Sequence, residues 1–330
     1  MAPRPELQVA TSGTQSEEFP GTPPPARGAA SGLRLGCVWV ATYAGAVLVA
    51  QITDCHVRCD DGAFSSLVDT SATLASVIEH LNGLDPAPDV VLATGDLTDD
   101  GTPEQYARFR EIVEPLTAPL LPFPGNHDHG PDFREAFADL LPGGPAALPE
   151  RHCSYVVDDH PVRLVGIDTS KPEHHDGCFD DERADWLDTT LAAVPDRPTL
   201  VFTHFPPFAV GLDYMDVAGL TGANRFEDVI VAHPQVTLVV AGHLHRPIQA
   251  VIGSALVSVC PSTGFQLDLD LHPGRGGAVD EPPGFQLHRW DGTRFVTHTG
   301  MVREGRRLDI SGYVEQVLSR AARGEGFPKA

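Results

Sequence analysis

Basic residues are scarce in this sequence: 23 Lys and Arg stand against 45 Asp and Glu, a formal net charge of −22. A surface of that sign repels DNA, RNA and anionic lipid, because affinity for a phosphate backbone needs clustered Lys and Arg. A small anion stays admissible, since bound cations can make one site locally positive on an acidic protein. Cysteine is sparse and scattered. Cys37, Cys55, Cys59, Cys153, Cys178 and Cys260 form no C-x-x-C pair and no compact framework. That argues against a zinc ribbon or a disulfide scaffold and suits reduced thiols in a cytoplasmic protein. Long hydrophobic runs are missing too. The nearest approach, Leu35 to Gln51 behind Arg27 and Arg34, is similar to a weak signal peptide or anchor. It falls short of the ~20 apolar residues a membrane helix needs, and its second half has to serve as a strand. No internal repeat of fixed period is present, and no heptads or long apolar patch mark an interface for a homodimer or larger assembly.

What is present is ordinary in bulk and informative in arrangement. With 330 residues, 42% hydrophobic and 21% charged, the chain can bury a large core in one large domain or two. Residues 1–45 read as a disordered tail, or as an upstream stretch from a misplaced start, because Pro, Gly, Ser, Thr and Ala dominate without a hydrophobic period. From residue 46 strands and helices alternate. Strands are expected at 46–53, 89–94 and 119–123, with helices at 66–81 and 103–114 between them and a short helix at 132–140. Thr102 followed by Pro103 marks a helix start. Strands at 154–157 and 162–167, a helix at 181–193 and a strand at 199–203 come next. A long Pro- and Gly-containing loop, 205–225, precedes a helix at 226–232 and a strand at 236–241. Short β-runs at 248–252, 255–260, 284–290 and 294–299 follow, with 271–283 as a loop. A helix at 313–322 lies in a C-terminal extension, 301–330, beyond a catalytic domain placed at 46–300. The pattern predicts an α/β protein in which two mixed sheets pack face to face with helices outside, a four-layer αββα sandwich.

Five clusters of Asp and His close the apolar runs: Asp54-Cys55-His56, Gly95-Asp96-Leu97-Thr98-Asp99, Gly125-Asn126-His127-Asp128, His204, and Gly242-His243-Leu244-His245. Sites in open α/β sheets form beyond the carboxyl ends of strands, where all five lie. Alternation along a strand lets Asp54 and His56 face one way while Cys55 faces the other, and does the same for His243 and His245 around Leu244. A glycine before three of the clusters suits permissive dihedrals or close approach. Carboxylate and imidazole donors without thiolate suit Mn, Fe, Zn or Co. Asp54, His56, Asp96, Asn126, His204, His243 and His245 are too many ligands for one ion and about right for two sharing a carboxylate. His174-His175, by contrast, sits in a polar stretch with no strand behind it and reads as solvated loop.

In this order and spacing the clusters resemble the calcineurin-like metallophosphoesterase superfamily, whose pattern is D-x-H, G-D-x-x-D, G-N-H-D/E, H and G-H-x-H. The match spans about residues 48–250. The continuation Gly95-Asp-Leu-Thr-Asp-Asp-Gly101, the ending in Asp128, and the stretch Thr203-His-Phe-Pro-Pro-Phe208 are most similar to class III cyclic nucleotide phosphodiesterases and bacterial glycerophosphodiesterases. The end of the β-rich part, Glu281 to Asp291, is similar as well. The resemblance implies that Asp54, His56 and His245 hold one metal, Asn126, His204 and His243 a second, and that Asp96 bridges them. It implies two ions, Mn²⁺, Fe²⁺/Fe³⁺ or Zn²⁺. The implied reaction is hydrolysis of a small anionic phosphodiester, 3′,5′-cyclic AMP foremost, by a hydroxide that the metals hold and that attacks in line. A glycerophosphodiester, a range of phosphomonoesters and diesters, or a metal-binding scaffold without activity are the alternatives. His127 is the candidate for protonating the leaving group. Asp128 or Asp99 would orient imidazoles, and Asn126, His127 and His204 would border the substrate. Arg58 either touches the phosphate or pairs with a carboxylate. Phe205, Phe208 and Tyr214 in the cap loop either stack on a base or pack inside.

Overall fold

The structure, a computed structural model, describes residues 45–59, 67–172, 174–303 and 309–324. The expectation for residues 1–45 falls outside them except at Gly45. The described residues up to Ser311 belong to one compact unit, and those from Gly312 onward fall in a second. In chain order the first unit contains β1 (Val47–Ile52), α1 (Thr70–Asn82), β2 (Val90–Thr94), α2 (Pro103–Val113), β3 (Leu120–Phe123), α3 (Gly130–Ala136), β4 (Tyr155–Val157) and β5 (Arg163–Gly166). It continues with β6 (Gly177–Cys178), α4 (Asp181–Ala192), β7 (Thr199–Phe202), α5 (Asp213–Val217), β8 (Leu220–Thr221), α6 (Ala223–Ala232) and β9 (Val236–Ala241). β10 (Ile248–Ile252), β11 (Ala255–Val259), β12 (Gln266–Leu267), β13 (Ala278–Val279), β14 (Gly284–Trp290) and β15 (Phe295–Met301) complete it. The last helix, α7 (Ser311–Ala322), is solvated along its length, with Tyr313, Val314 and Leu318 exposed.

Two mixed sheets dominate, in the orders β15-β14-β1-β2-β3 and β10-β11-β9-β7-β5-β4. Period-two alternation sorts their side chains. Leu164, Leu200, Phe202, Leu238 and Val240 of the second sheet join Val49, Val90 and Leu92 of the first in one core. The alternate residues Val165, Val201 and Val239 point the other way, onto Leu187, Leu191, Phe226 and Ile230 of α4 and α6. On the far side of the first sheet, Leu74, Val77, Ile78 and Leu81 of α1 bury a stripe at i, i+3, i+4 and i+7. The four-layer αββα arrangement follows. Thr102 caps α2 by accepting from the Gln105 N–H at 3.3 Å, with Pro103 opening the helix, as the sequence predicts.

The loops carry structure that periodicity does not show. The cap loop contains α5 and β8, and β8 pairs in parallel with β6 at the end of the 170–178 loop. Residues 278–279, expected as loop, pair as β13 with β12. Pairings of two residues are too short for a hydrophobic period.

A buried polar seam crosses between the sheets. Gln51 donates to the Thr94 hydroxyl at 2.8 Å and to the Ala241 carbonyl at 3.0 Å. Its Oε1 accepts from His288 Nε2 at 3.1 Å, and His288 Nδ1 accepts from the Thr297 hydroxyl at 2.9 Å. Every polar atom named has its partner, as low-dielectric burial demands. Burial holds the His288 pKa down to about 3. The folded state therefore keeps this ring neutral while the unfolded chain binds a proton below about pH 6.5. Stability is lost as pH falls from about 6.5 towards 3. Urea titrations of wild type and His288→Gln should show the variant losing about 2 kcal/mol less than wild type between pH 6.5 and pH 5. Equal losses would show that His288 does not carry this pH dependence.

Candidate metal centre

The ladder of the first sheet continues past its strands. Asp54 N–H donates to the Gly95 carbonyl at 3.0 Å, His56 to Asp96 at 3.0 Å, and Val57 to Leu97 at 3.2 Å. The Asp99 N–H returns to the Val57 carbonyl at 3.2 Å. These bonds hold the chain in the left-handed region at Asp54 (φ 50°), His56 (φ 44°) and Asp96 (φ 50°), and His243 (φ 70°) and His245 (φ 49°) share it. This corrects the expectation of simple strand alternation. The side chains converge because each chain turns left-handed just beyond its strand. Cys55 and Leu244 do face away, into apolar clusters.

The second sheet meets the first through a backbone donor. The His243 N–H, beyond β9, lies 3.0 Å from both carboxylate oxygens of Asp54, beyond β1. Within the second sheet, the Gly242 N–H donates to the His204 carbonyl at 2.9 Å. Three groups of side chains result among the described residues, Asp54 with His56 and His245, Asp96 with His204 and His243, and His56 with Asp99 and His127, each with ligand atoms within 4.8 Å of one another. Asn126 Oδ1 joins the second at 3.2 Å from His204 Nε2 and 3.1 Å from His243 Nδ1. All seven expected ligands are thus brought together.

The donor and acceptor roles show what this arrangement needs. His245 Nδ1 donates to the Phe265 carbonyl at 2.9 Å, His204 Nδ1 to the Thr94 carbonyl at 2.9 Å, and His56 Nδ1 to the Asp99 carboxylate at 3.0 Å. In a neutral imidazole the other nitrogen then carries a lone pair. The lone pairs of His56 and His245 face each other across 3.1 Å, with Asp54 Oδ1 at 3.4 Å from the latter. His204 Nε2 faces Asp96 Oδ2 at 3.3 Å. Acceptors turned on acceptors in a buried site require positive charge between them. Protons supply part of it. Burial opposes a charged His204, but Asp96 outweighs burial and lifts the pKa to about 9. Burial likewise works against an ionised Asp96, yet His204 and His127 hold its carboxyl well below the usual range. Burial pushes His245 down to about 4, so its lone pair stays open. Hard-to-borderline metal cations fit this oxygen and imidazole donor set.

Asp96 is fixed from two sides. Its Oδ1 accepts from the His127 N–H at 2.9 Å, which leaves Oδ2 between His204 and His56, the latter at 3.7 Å. A Cβ at Gly125 would collide with Asp96 Oδ1 and its backbone nitrogen, so only glycine admits the carboxylate here. Asp128 sits below, accepting from the Gly125 N–H at 2.9 Å, the Leu97 N–H at 3.1 Å and the Thr98 hydroxyl at 3.3 Å. Burial, with Asp96 nearby, raises its pKa to about 6. Of the two candidate orienting carboxylates, Asp99 touches an imidazole, and Asp128 clamps the loops after β2 and β3 to each other. His127 Nδ1 donates to the Asp99 carbonyl at 2.7 Å, and its ring centre is 4.7 Å from that of His56. Burial lowers its pKa.

Around this centre, Arg58 pairs with Asp99, one of its two expected roles. Phe205 is fully buried against His204 and His243, with ring centres 5.1 and 4.4 Å away. Phe208 packs in the apolar cluster with Leu244, while Tyr214 is 37% exposed. His175, expected in a solvated loop, is exposed, but its ring centre lies 5.5 Å from that of His127. No local signal separates it from His174.

Residues 47–247 match the family described as calcineurin-like phosphoesterase. Among curated proteins, a probable glycerophosphodiester phosphodiesterase GpdQ of Arcobacter nitrofigilis is 34% identical over 259 residues, 78% of this chain and 93% of that protein. The 3′,5′-cyclic adenosine monophosphate phosphodiesterase CpdA of Pseudomonas aeruginosa is 33% identical over 222 residues, 67% of this chain and 77% of that protein. A dimetal phosphatase from Danio rerio superposes with a TM-score of 0.54 at 12% identity, over 76% of this chain and 98% of that one, which speaks for the fold alone.

Gly125→Ala should displace the Asp96 carboxylate and lower the metal content of the purified protein severalfold. It should also reduce the thermal stabilisation by added Mn²⁺, which for wild type reaches about 2.7 kcal/mol at 100 times the dissociation constant. Unchanged metal content would rule Asp96 out as a ligand.

Proposed function

Because the chain belongs to the calcineurin-like phosphoesterase family, we propose that Asp54, His56 and His245 hold one metal ion, Asn126, His204 and His243 a second, and that Asp96 lies between them. The chain is a metal-dependent phosphodiester hydrolase. The observation that carries the ligand assignment is the facing lone pairs of His56 and His245 beside Asp54, a set of acceptors that a cation completes. Mn²⁺, Fe²⁺/Fe³⁺ and Zn²⁺ all suit it. Bound there, two ions supply Lewis acidity to the phosphate oxygens and activate water.

The chain's own residues do the rest. Asp99 holds His56 in one tautomer through its carboxylate, and through its carbonyl it leaves His127 Nε2 as the atom that exchanges a proton. Water attacks phosphorus in line with the ester oxygen and sheds one proton, which passes through solvent and restores the one that His127 gives up. His127 gives its Nε2 proton to that oxygen as the bond to phosphorus breaks, and an alcohol leaves. Burial disfavours the charged ring, and an anionic phosphate alongside offsets this, so the acid is loaded when substrate is present. Asn126 and His204 border the same phosphate. Asp128 serves by holding the loops in place.

The substrate is a small phosphodiester, with 3′,5′-cyclic AMP as the first reading. The acidic chain disfavours a nucleic-acid polymer. The similarity to a protein named as a glycerophosphodiester phosphodiesterase supports a glycerophosphodiester as the second. The five described cysteines are free thiols, which suits the cytoplasm, and no described helix is long and apolar enough to cross a membrane.

Turnover of cyclic AMP, a glycerophosphodiester, bis(p-nitrophenyl) phosphate and a phosphomonoester should be compared on metal-loaded protein. Diester turnover well above monoester turnover is expected, and the reverse would overturn the diesterase reading. His127→Ala should lower kcat by about 10²- to 10⁴-fold with metal content intact. An unchanged kcat would remove His127 from the mechanism.

A further inference from the structure

The loop between β5 and α4 is built to place one side chain. Its ends are joined where the Cys178 N–H donates to the Thr169 carbonyl at 2.7 Å. Arg183 Nη2 holds the Ser170 carbonyl at 3.1 Å, and Lys171 Nζ meets Asp176 Oδ2 at 2.6 Å inside the loop. At its far end the Gly177 N–H donates to the Gly219 carbonyl at 3.1 Å, and β6 pairs with β8 of the cap. Gly177 lies so close over Phe205 that a Cβ there would stand 2.7 Å from the ring. Phe205 follows His204, so the loop is referenced directly to the metal centre. Within it the two neighbouring histidines part. His174 Nδ1 turns to Asp176 Oδ1 at 3.5 Å, while the His175 ring lies beside His127 at 5.5 Å, inclined by 57°. His127 thus has two imidazole neighbours, His175 and the candidate ligand His56, whose ring is 4.7 Å away.

We infer that His175 is a specificity-determining residue that hydrogen-bonds a hydroxyl on the carbon next to the ester oxygen of the leaving alcohol. The inference rests on the diesterase reading with His127 as proton donor. A leaving oxygen within about 3 Å of His127 Nε2 keeps its own carbon close to that ring. A hydroxyl one carbon–carbon bond further on comes within reach of an imidazole centred 5.5 Å from His127. An imidazole nitrogen can donate to or accept from such a hydroxyl. The 3′-oxygen of a ribose and an oxygen of glycerol both have that vicinal hydroxyl, and a p-nitrophenyl ester lacks it. The exposed position of His175 fits a group that meets substrate at the mouth of the site and leaves the phosphate to the buried residues.

The test uses full-length, metal-loaded wild type, His175→Ala and His175→Asn. The substrate pairs are cyclic AMP with its 2′-deoxy analogue and glycerophosphoglycerol with dipropyl phosphate, and bis(p-nitrophenyl) phosphate is the common reference. For whichever hydroxyl-bearing diester wild type cleaves, His175→Ala should lower kcat/KM about tenfold, the loss of one hydrogen bond. The hydroxyl-free partner and the reference should stay within about threefold, with melting temperature and metal content unchanged. His175→Asn should recover part of the loss. An equal fall on every substrate would reassign His175 to the general integrity of the site and overturn the inference, as would no fall on any. Wild type that binds two metals and cleaves none of the diesters would overturn the diesterase reading and the inference together.

Discussion

The Asp96 carboxylate is the constraint on which the centre depends. One oxygen is tied to the backbone after β3, and the other is left between imidazoles that arrive from both sheets. That placement works only because Gly125 has no Cβ to occupy the same space. Asp128 secures the two loops by binding the backbone of each. The chemistry is thus set by how closely β2 and β3 deliver their loops, and the sandwich supplies that closeness.

Much of this was legible in the sequence, for reasons that can be named. The apolar runs ending at Thr53, Thr94, Phe123, Thr203 and Ala241 correspond to β1, β2, β3, β7 and β9 within a residue, because buried strands of mixed sheets are nearly continuous in Val, Ile, Leu and Phe. The Asp and His clusters stood out by their place after those runs. Three features were not legible. The left-handed backbone at Asp54, His56, Asp96 and His243 is held by hydrogen bonds between loops far apart in sequence, His245 shares it, and none of these residue types announces it. The distinction between His174 and His175 depends on which way a tethered loop faces. The seam of Gln51 and His288 joins residues whose local sequence marks only ordinary strands.

The left-handed residues also bear on energetics. Each non-glycine residue in that region costs about 1–2 kcal/mol, and five occur in one site. The extended ladder between the loops after β1 and β2, and the grip of the His243 N–H on Asp54, offset that cost before any cation is bound. The protein thus concentrates its strain where its side chains must converge and holds it there with backbone bonds, which leaves the side-chain atoms for chemistry.

One of the two neighbours of β1 in the first sheet is β14, and the seam bond between Gln51 and His288 spans 237 residues. A chain made from its N-terminus extends the strand that leads into Asp54 long before the strand that flanks it exists. Through most of synthesis β1 has one edge open and Gln51 lacks the imidazole that satisfies it. Closing so long a loop is entropically slow, and an unpaired apolar edge is prone to wrong pairings in the interval. The order of assembly is therefore inverted relative to the order of the motifs: the cluster that comes first in the sequence is among the last to acquire its finished surroundings.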